Sequence, residues 1–235
     1  MNTGLKLLTT MVVLMGMSLT TSAYEGGKVS GGGTISGEVL FTGTVPAPKE
    51  LKVTKDKKAC AKTPKFDETI VSKDGKLANA VVFITDITKG KEMAVKDVTF
   101  DQNGCQYMPH VLAVPAGATV TILNPDKVLH NIHTYSKVNP AMNKAQPKFK
   151  KKLKVKFEKP EIMEVKCDVH GWMSGWIFVA GNPYYAVTGE NGAFSLPDVP
   201  PGKYKVEIWH EKLGKKTMEV EVKGGEDTKV NFELG

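Results

Sequence analysis

Arginine is missing from this chain: all 32 basic residues are lysine, set against 25 acidic residues for a formal net charge of +7. A nucleic-acid reader ordinarily places arginine forks on phosphates and base edges, so a basic chain without arginine argues against that class. No apolar run of bilayer length occurs beyond the N-terminal stretch ending at Ala23, which predicts no transmembrane segment in a mature chain. Long segments with helical periodicity are absent as well. The 23 glycines and 13 prolines follow no period, which excludes collagen. A 41% hydrophobic content excludes a disordered chain, and 235 residues suit one or two domains.

The first residues read as an address. Lys6 precedes an apolar stretch from Leu7 to Leu19, and Thr21-Ser22-Ala23 offers small residues at the positions a signal peptidase needs. Residues 1–23 are therefore expected to be a signal peptide, with a short membrane anchor as the weaker alternative. No cysteine lies near the cleavage point, so lipid attachment there is not expected. The implied location is periplasmic or secreted. Such compartments pair thiols, and there are three cysteines, so one has another task. Cys167 lies among metal-binding residue types, which leaves Cys60 and Cys105 as the expected disulfide. Closing that loop would stabilise the fold by roughly 4 kcal/mol on the chain-entropy model.

The remainder reads as short strands. Residues 24–33 are a Gly-rich segment expected to be flexible. After it, alternating or β-branched runs recur at Thr34–Phe41, Ala80–Ile84, Ala118–Leu123, Ile162–Val165, Gly175–Val179, Tyr204–Trp209 and Met218–Val222. Turn residues separate them at Pro115-Ala116-Gly117, Asn124-Pro125-Asp126, Glu190-Asn191-Gly192 and Pro200-Pro201-Gly202. The expected class is all-β, built as Greek-key β-sandwiches.

Two stretches carry metal chemistry. One runs from Asn124 to His133 and contains His130 and His133. The other is Cys167-Asp168-Val169-His170-Gly171-Trp172-Met173. A thiolate, two imidazoles and a weak thioether form the donor set of a type 1 (blue) copper site. Soft sulfur suits Cu(I), imidazole suits Cu(II), and a trigonal cage serves both. The Cys-x2-His-x2-Met spacing requires a tight loop between two strands, with the remaining histidine supplied by a distant strand. In an extended strand, positions 130 and 132 share a face and 133 points away. His133 is therefore expected beside the centre or at the surface, unless local irregularity lets it displace His130. His110 is a further candidate near the metal end, although a structural role is the plainer expectation. His210 is read as a structural histidine satisfied by its neighbour Glu211. Met142 and Met163 are lesser substitutes for Met173. A buried free thiol at Cys167 with a surface His170 is the competing reading.

These stretches resemble the cupredoxins, the blue-copper proteins of amicyanin/plastocyanin type. The resemblance covers roughly Val98 to Ala180, including the Tyr107-Met108-Pro109 … Leu112-Ala113-Val114 … Gly117 … Val120 … Asn124 pattern. Carried over residue by residue, it makes His130, Cys167, His170 and Met173 the ligands of one copper ion. It also makes Asn131 a brace for the ligand loop through hydrogen bonds. The run-up Glu161-Ile162-Met163-Glu164-Val165-Lys166, the tryptophans Trp172 and Trp176, and a lysine-rich insert depart from the family pattern.

A second resemblance lies at the C-terminus. Thr188-Gly189-Glu190-Asn191-Gly192-Ala193-Phe194 and Pro201-Gly202-Lys203-Tyr204 are similar to the carboxypeptidase regulatory-like domain, a transthyretin-like sandwich. Gly37-Glu38-Val39 and Asn79-Ala80-Val81-Val82 fit that family's opening strands but precede the cupredoxin-like stretch. The expected organisation is a cupredoxin domain at 96–181 and the second sandwich at 182–235. Residues 34–95 would supply strands to that second sandwich if the first domain is inserted into it, or stand before it in a tandem arrangement.

Function follows from the donor set. Eight lysines between Lys144 and Lys159 face only Glu158. They are either edge guards or a docking patch for an acidic redox partner. No His-x-His pair occurs, so an oxidase would lack its oxygen site, and an enzyme is not expected. The expectation is an exported one-electron carrier. The alternatives are a copper-binding or delivery protein and a cell-surface interaction protein.

Overall fold

The computed structural model describes residues 24–235, and the signal-peptide expectation for 1–23 lies outside the described residues. Nearly every element is a strand; the helix Lys57–Cys60 is a single turn. Two β-sandwiches result, each with its own apolar core.

The first sandwich packs a five-stranded sheet on a three-stranded one. The five strands lie in the order Asn143–Gln146, His130–Thr134, Glu161–Lys166, Ser174–Ala180 and Val111–Pro115. The three lie in the order Lys152–Lys156, Thr119–Leu123 and Val98–Phe100. Alternation explains the faces: Met163 and Val165 point inward while Glu164 and Lys166 point out. Glu161–Lys166 and Ser174–Ala180 pair antiparallel over their length, and the loop joining them runs from Cys167 to Met173. The lysine-rich insert forms Asn143–Gln146 and Lys152–Lys156, an edge strand of each sheet. Lysine at such edges discourages pairing with another chain.

The second sandwich draws on both ends of the chain. Gly33–Phe41 pairs with Ala193–Val199, Asp227–Lys229, Phe232–Leu234 and Lys76–Leu77. Opposite it, Val81–Ile84 lies between Tyr185–Val187 and Gly202–His210, and Gly214–Val222 closes that sheet. The chain thus leaves this sandwich, builds the first, and returns. Gly37 permits the close crossing, because a Cβ there would stand 1.7 Å from the Val230 carbonyl oxygen. A small cluster of Val81, Val111, Phe178, Ala180 and Trp209 joins the two sandwiches, with the Trp176 and Trp209 rings 4.9 Å apart.

Two segments differ from expectation. Residues 24–33 are not simply flexible, since Glu25–Gly27 pairs in parallel with Lys89–Lys91. Glycine there serves close backbone approach: a Cβ on Gly26 would lie 3.1 Å from Glu92 Cα, and one on Gly33 would lie 2.5 Å from the Lys223 oxygen. The stretch 34–95 is also divided between the sandwiches. Its strands from Gly33–Phe41 to Val81–Ile84 join the second, but Val53, Ala59 and Cys60 pack on the core of the first.

Candidate metal centre

Three buried side chains converge at one end of the first sandwich. His130 opens the strand His130–Thr134, whereas Cys167 and His170 belong to the loop after Glu161–Lys166. His130 Nδ1 lies 3.0 Å from His170 Nδ1, and Cys167 Sγ lies 4.0 and 3.8 Å from these two nitrogens. Both imidazoles are 0% exposed and Cys167 is 2% exposed. The point equidistant from the three atoms lies about 2.1 Å from each, within the usual range of metal–imidazole and metal–thiolate bonds.

The outer ring nitrogens decide what the inner ones do. His130 Nε2 is 3.0 Å from an Asp126 carboxylate oxygen, and His170 Nε2 is 3.0 Å from an Asp56 carboxylate oxygen. An Nε2–H donated to each carboxylate turns both Nδ1 atoms inward; a proton held there donates to the Cys167 sulfur in the metal-free chain, and its loss leaves a lone pair aimed at the centre. Once those protons leave, two imidazole nitrogens and a sulfur facing one another in a buried pocket are a donor set that could hold a cation. The donor set therefore fits a soft or borderline metal ion such as copper.

Electrostatics agree with the geometry. Burial raises the Cys167 thiol, but bonds from His130 and His170 and from backbone N–H groups outweigh it, bringing the pKa down to about 6. Burial lowers the His130 imidazole, and bonds to Asp126 and Cys167 more than restore it. Burial likewise opposes ionisation of Asp126, yet His130 and the N–H groups of Cys105 and Gly104 keep that carboxyl below its ordinary value.

The loop itself is closed by its own backbone. Met173 N–H donates to the His170 carbonyl at 2.8 Å, and Cys167 N–H donates to the Met173 carbonyl at 3.1 Å. Met173 is 2% exposed in the same core cluster as Cys167. Met163 is buried within the sheet core and Met142 is only partly buried against it. Asn131 ties the two ligand stretches together. Its Oδ1 accepts the Asp168 N–H at 2.7 Å, and its Nδ2 donates to Asn143 Oδ1 at 2.7 Å and Asp168 Oδ2 at 3.1 Å. The Tyr107 hydroxyl donates to the Asn131 carbonyl at 2.7 Å.

The other histidines stand apart from this triangle. His133 is part-exposed, 3.1 Å from an Asp168 oxygen and stacked on Tyr135 with centroids 4.5 Å apart. His110 sits where the sandwiches meet, between Glu211 and Glu68. Burial lowers its pKa, and those carboxylates more than offset that, leaving it above its ordinary value. His210 departs from the expected pairing: Glu211 instead takes His110 and the Trp176 Nε1–H. Among the described residues His210 Nε2 has no hydrogen-bond partner, and burial pushes the imidazole down to about 4.

Sequence reasoning does not single out Asp56 or Asp126. Asp126 carries a faint signal, a turn aspartate four residues before His130; Asp56 carries none. Cys60 and Cys105 are bonded, with Cα atoms 5.3 Å apart, and Cys60 Sγ lies 3.8 Å from His170 Nε2.

The chain is thus an all-β, two-sandwich protein with a buried imidazole–imidazole–thiol centre. Its residues 177–235, about a quarter of its length, match the carboxypeptidase regulatory-like domain, starting five residues before the boundary expected from the sequence. Solved structures similar to it include three copper proteins. A novel purple cupredoxin from Nitrosopumilus maritimus is 24% identical over 36% of this chain and 100% of its own, at a TM-score of 0.31. The Cu-containing nitrite reductase NirK from Thermus scotoductus SA-01 is 26% identical over 38% of this chain and 24% of its own, at 0.32. A single-site mutant of amicyanin, in its reduced Cu(I) form at pH 4, is 25% identical over 38% of this chain and 87% of its own, at 0.33. No curated protein matches the chain.

Proposed function

We propose that this is an exported type 1 copper protein that carries single electrons between redox partners. One observation carries the reading: two imidazole Nδ1 atoms and the Cys167 sulfur, all buried, stand within 4.0 Å of one another with both outer nitrogens held by carboxylates. His130, Cys167 and His170 hold the ion, and Met173 supplies the weak fourth donor. Copper bound there supplies a one-electron couple, for which sulfur and imidazole together suit both oxidation states. Asp56 and Asp126 orient the rings, Asn131 and Tyr107 fix the strand against the loop, and the surrounding core excludes water. A rigid, dry cage keeps the same ligands in place through each electron transfer.

The partner surface is assigned to Lys144–Lys159. Among the described residues none of the lysines in this span is ion-paired. Lys151 Nζ and its carbonyl both contact Asn124, two residues from the aspartate that holds His130. An unpaired basic patch this near the centre suits an acidic redox protein, approaching by electrostatic steering. Export rests on residues 1–23. Among the described residues no helix is long and apolar enough to cross a membrane.

The test is the visible and EPR spectrum of the Cu(II)-loaded mature protein beside Cys167→Ala. An intense thiolate-to-copper band with narrow hyperfine splitting, lost in the variant, is expected. An ordinary weak Cu(II) spectrum, unchanged by the substitution, overturns the assignment. A second reading, copper binding without electron transfer, is favoured by one fact: neither ligand imidazole reaches the surface, where an electron would pass to a partner. Rapid oxidation and reduction by small inorganic reagents would exclude it.

A further inference from the structure

His170 stands on a loop at the end of its sandwich, yet it is 0% exposed: Trp172 packs on its ring with centroids 5.0 Å apart, and a distant part of the chain lies against its outer nitrogen. That part is residues 50–66. At its base Glu50 bridges to Phe66, and Leu51 N–H donates to the Lys65 carbonyl at 2.7 Å. At its tip is the single helical turn Lys57–Cys60. The residue before that turn, Asp56, adopts a left-handed conformation at φ 48° and sets its carboxylate on His170 Nε2. Cys60 follows at 3.8 Å from the same nitrogen and is bonded to Cys105.

Little else anchors the tip. From Lys52 to Pro64 only Cys60 is buried, with Val53 and Ala59 partly so. Among the described residues, Lys52, Lys55, Lys57, Lys58 and Lys62 form no ion pair. A segment with few buried apolar contacts opens locally at low cost, unless a covalent bond holds it. Here the one covalent bond is placed directly against a candidate ligand.

We propose that residues 50–66 are a disulfide-locked cover over the metal centre. With Cys60 and Cys105 bonded, the centre is closed to reagents that must touch its side chains, such as alkylating agents and chelators, while electrons can still pass through the cover. A dithiol reductant opens it: two electrons and two protons convert the bond into two thiols, and the reductant's own thiols become a disulfide. The copper reading is needed only to say what is enclosed; the covering of His170, whose Nδ1 lies 3.8 Å from the Cys167 sulfur, is a property of the chain without metal.

The experiment uses the full mature chain, metal-free, as wild type and as the Cys60→Ser/Cys105→Ser double variant. Cys167 is then the one thiol available in either form, and its alkylation by iodoacetamide is timed. Amide exchange at positions 59, 60 and 61 is followed alongside that of core positions Val165 and Ile177. The expected result is at least about tenfold faster alkylation in the variant, equivalent to about 1.4 kcal/mol less to open. Exchange should accelerate at residues 59–61 while the core amides stay protected. Equal alkylation rates overturn the proposal. So does parallel acceleration of core and cover amides, because the bond would then stabilise the whole sandwich rather than gate its end. Copper extraction by a chelator, run on loaded protein, should accelerate in the same variant. A protein that fails to bind copper defeats the copper reading and leaves the alkylation result to decide the cover.

Discussion

Replacing Asp126 by alanine isolates the contribution of one carboxylate to both fold and centre. Its side chain is 9% exposed and accepts three donors: Gly104 N–H at 2.7 Å, Cys105 N–H at 2.7 Å and His130 Nε2–H at 3.0 Å. Alanine leaves all three without their acceptor. An unsatisfied buried donor costs about 1–3 kcal/mol, and water entering the vacated space recovers part of that, so a net loss of about 3 kcal/mol is expected. The released His130 ring can also exchange tautomers, which lowers metal affinity by roughly 10–100-fold, the usual effect of losing a partner behind a ligand. Urea denaturation of the metal-free protein measures the first quantity, and Cu(II) competition with a chromophoric chelator measures the second. A stability within about 0.5 kcal/mol of wild type, together with unchanged copper affinity, would show that this carboxylate does not organise the site.

Three further outcomes are expected. His210 is held near pKa 4 in the fold against an ordinary 6.5, so the stability it contributes is complete above pH 6.5 and falls by roughly 3 kcal/mol as the pH approaches 4; a His210→Gln variant should lose that part of the slope in denaturation curves taken across this range. Glu161 accepts the Ser136 hydroxyl and backbone N–H groups of Lys137, Val138 and Asn139, and although burial raises its pKa those bonds bring it down to about 2. Its contribution is present above pH 4.5 and lost toward pH 2; after allowance for screening by solvent, Glu161→Gln should cost roughly 1–2 kcal/mol at neutral pH and flatten the acid limb of a pH-denaturation curve. Charge reversal at Lys150 and Lys152 should slow electron exchange with an acidic redox protein and weaken its salt dependence; a rate independent of ionic strength in the wild type removes the docking surface.

Strand content was legible because alternation is a local property. Glu161–Lys166 shows its inward Met163 and Val165 in the order of the letters, and Asn124-Pro125-Asp126 announces the turn before His130. The disulfide between Cys60 and Cys105 also followed from counting, since a third cysteine among metal-binding residues leaves two to pair. Residues 24–33 misled for a physical reason. Glycine signals freedom in an isolated chain, whereas here it removes the Cβ that would block a neighbouring backbone. His210 misled because adjacency to Glu211 in the chain said nothing about where that carboxylate turns, and it turns to His110 and Trp176.

The donor chemistry at the loop is local. Cys167, His170 and Met173 lie in one tight turn between paired strands, which by itself brings the Cys167 sulfur to 3.8 Å from His170 Nδ1. The inward direction of His130 rather than His133 is local too, because side chains in a regular strand alternate with a period of two. The surroundings of those donors come from long-range packing. Asp56 reaches His170 across 114 positions and Cys60 across 110, and no local pattern encodes either meeting. Both depend on how residues 50–66 dock against a sandwich built largely from the following hundred or so residues. The same holds for Gly33–Phe41, whose partners at 193–199 and 227–234 lie beyond the whole intervening sandwich and are selected by the matching of apolar faces, which no short stretch of chain can specify.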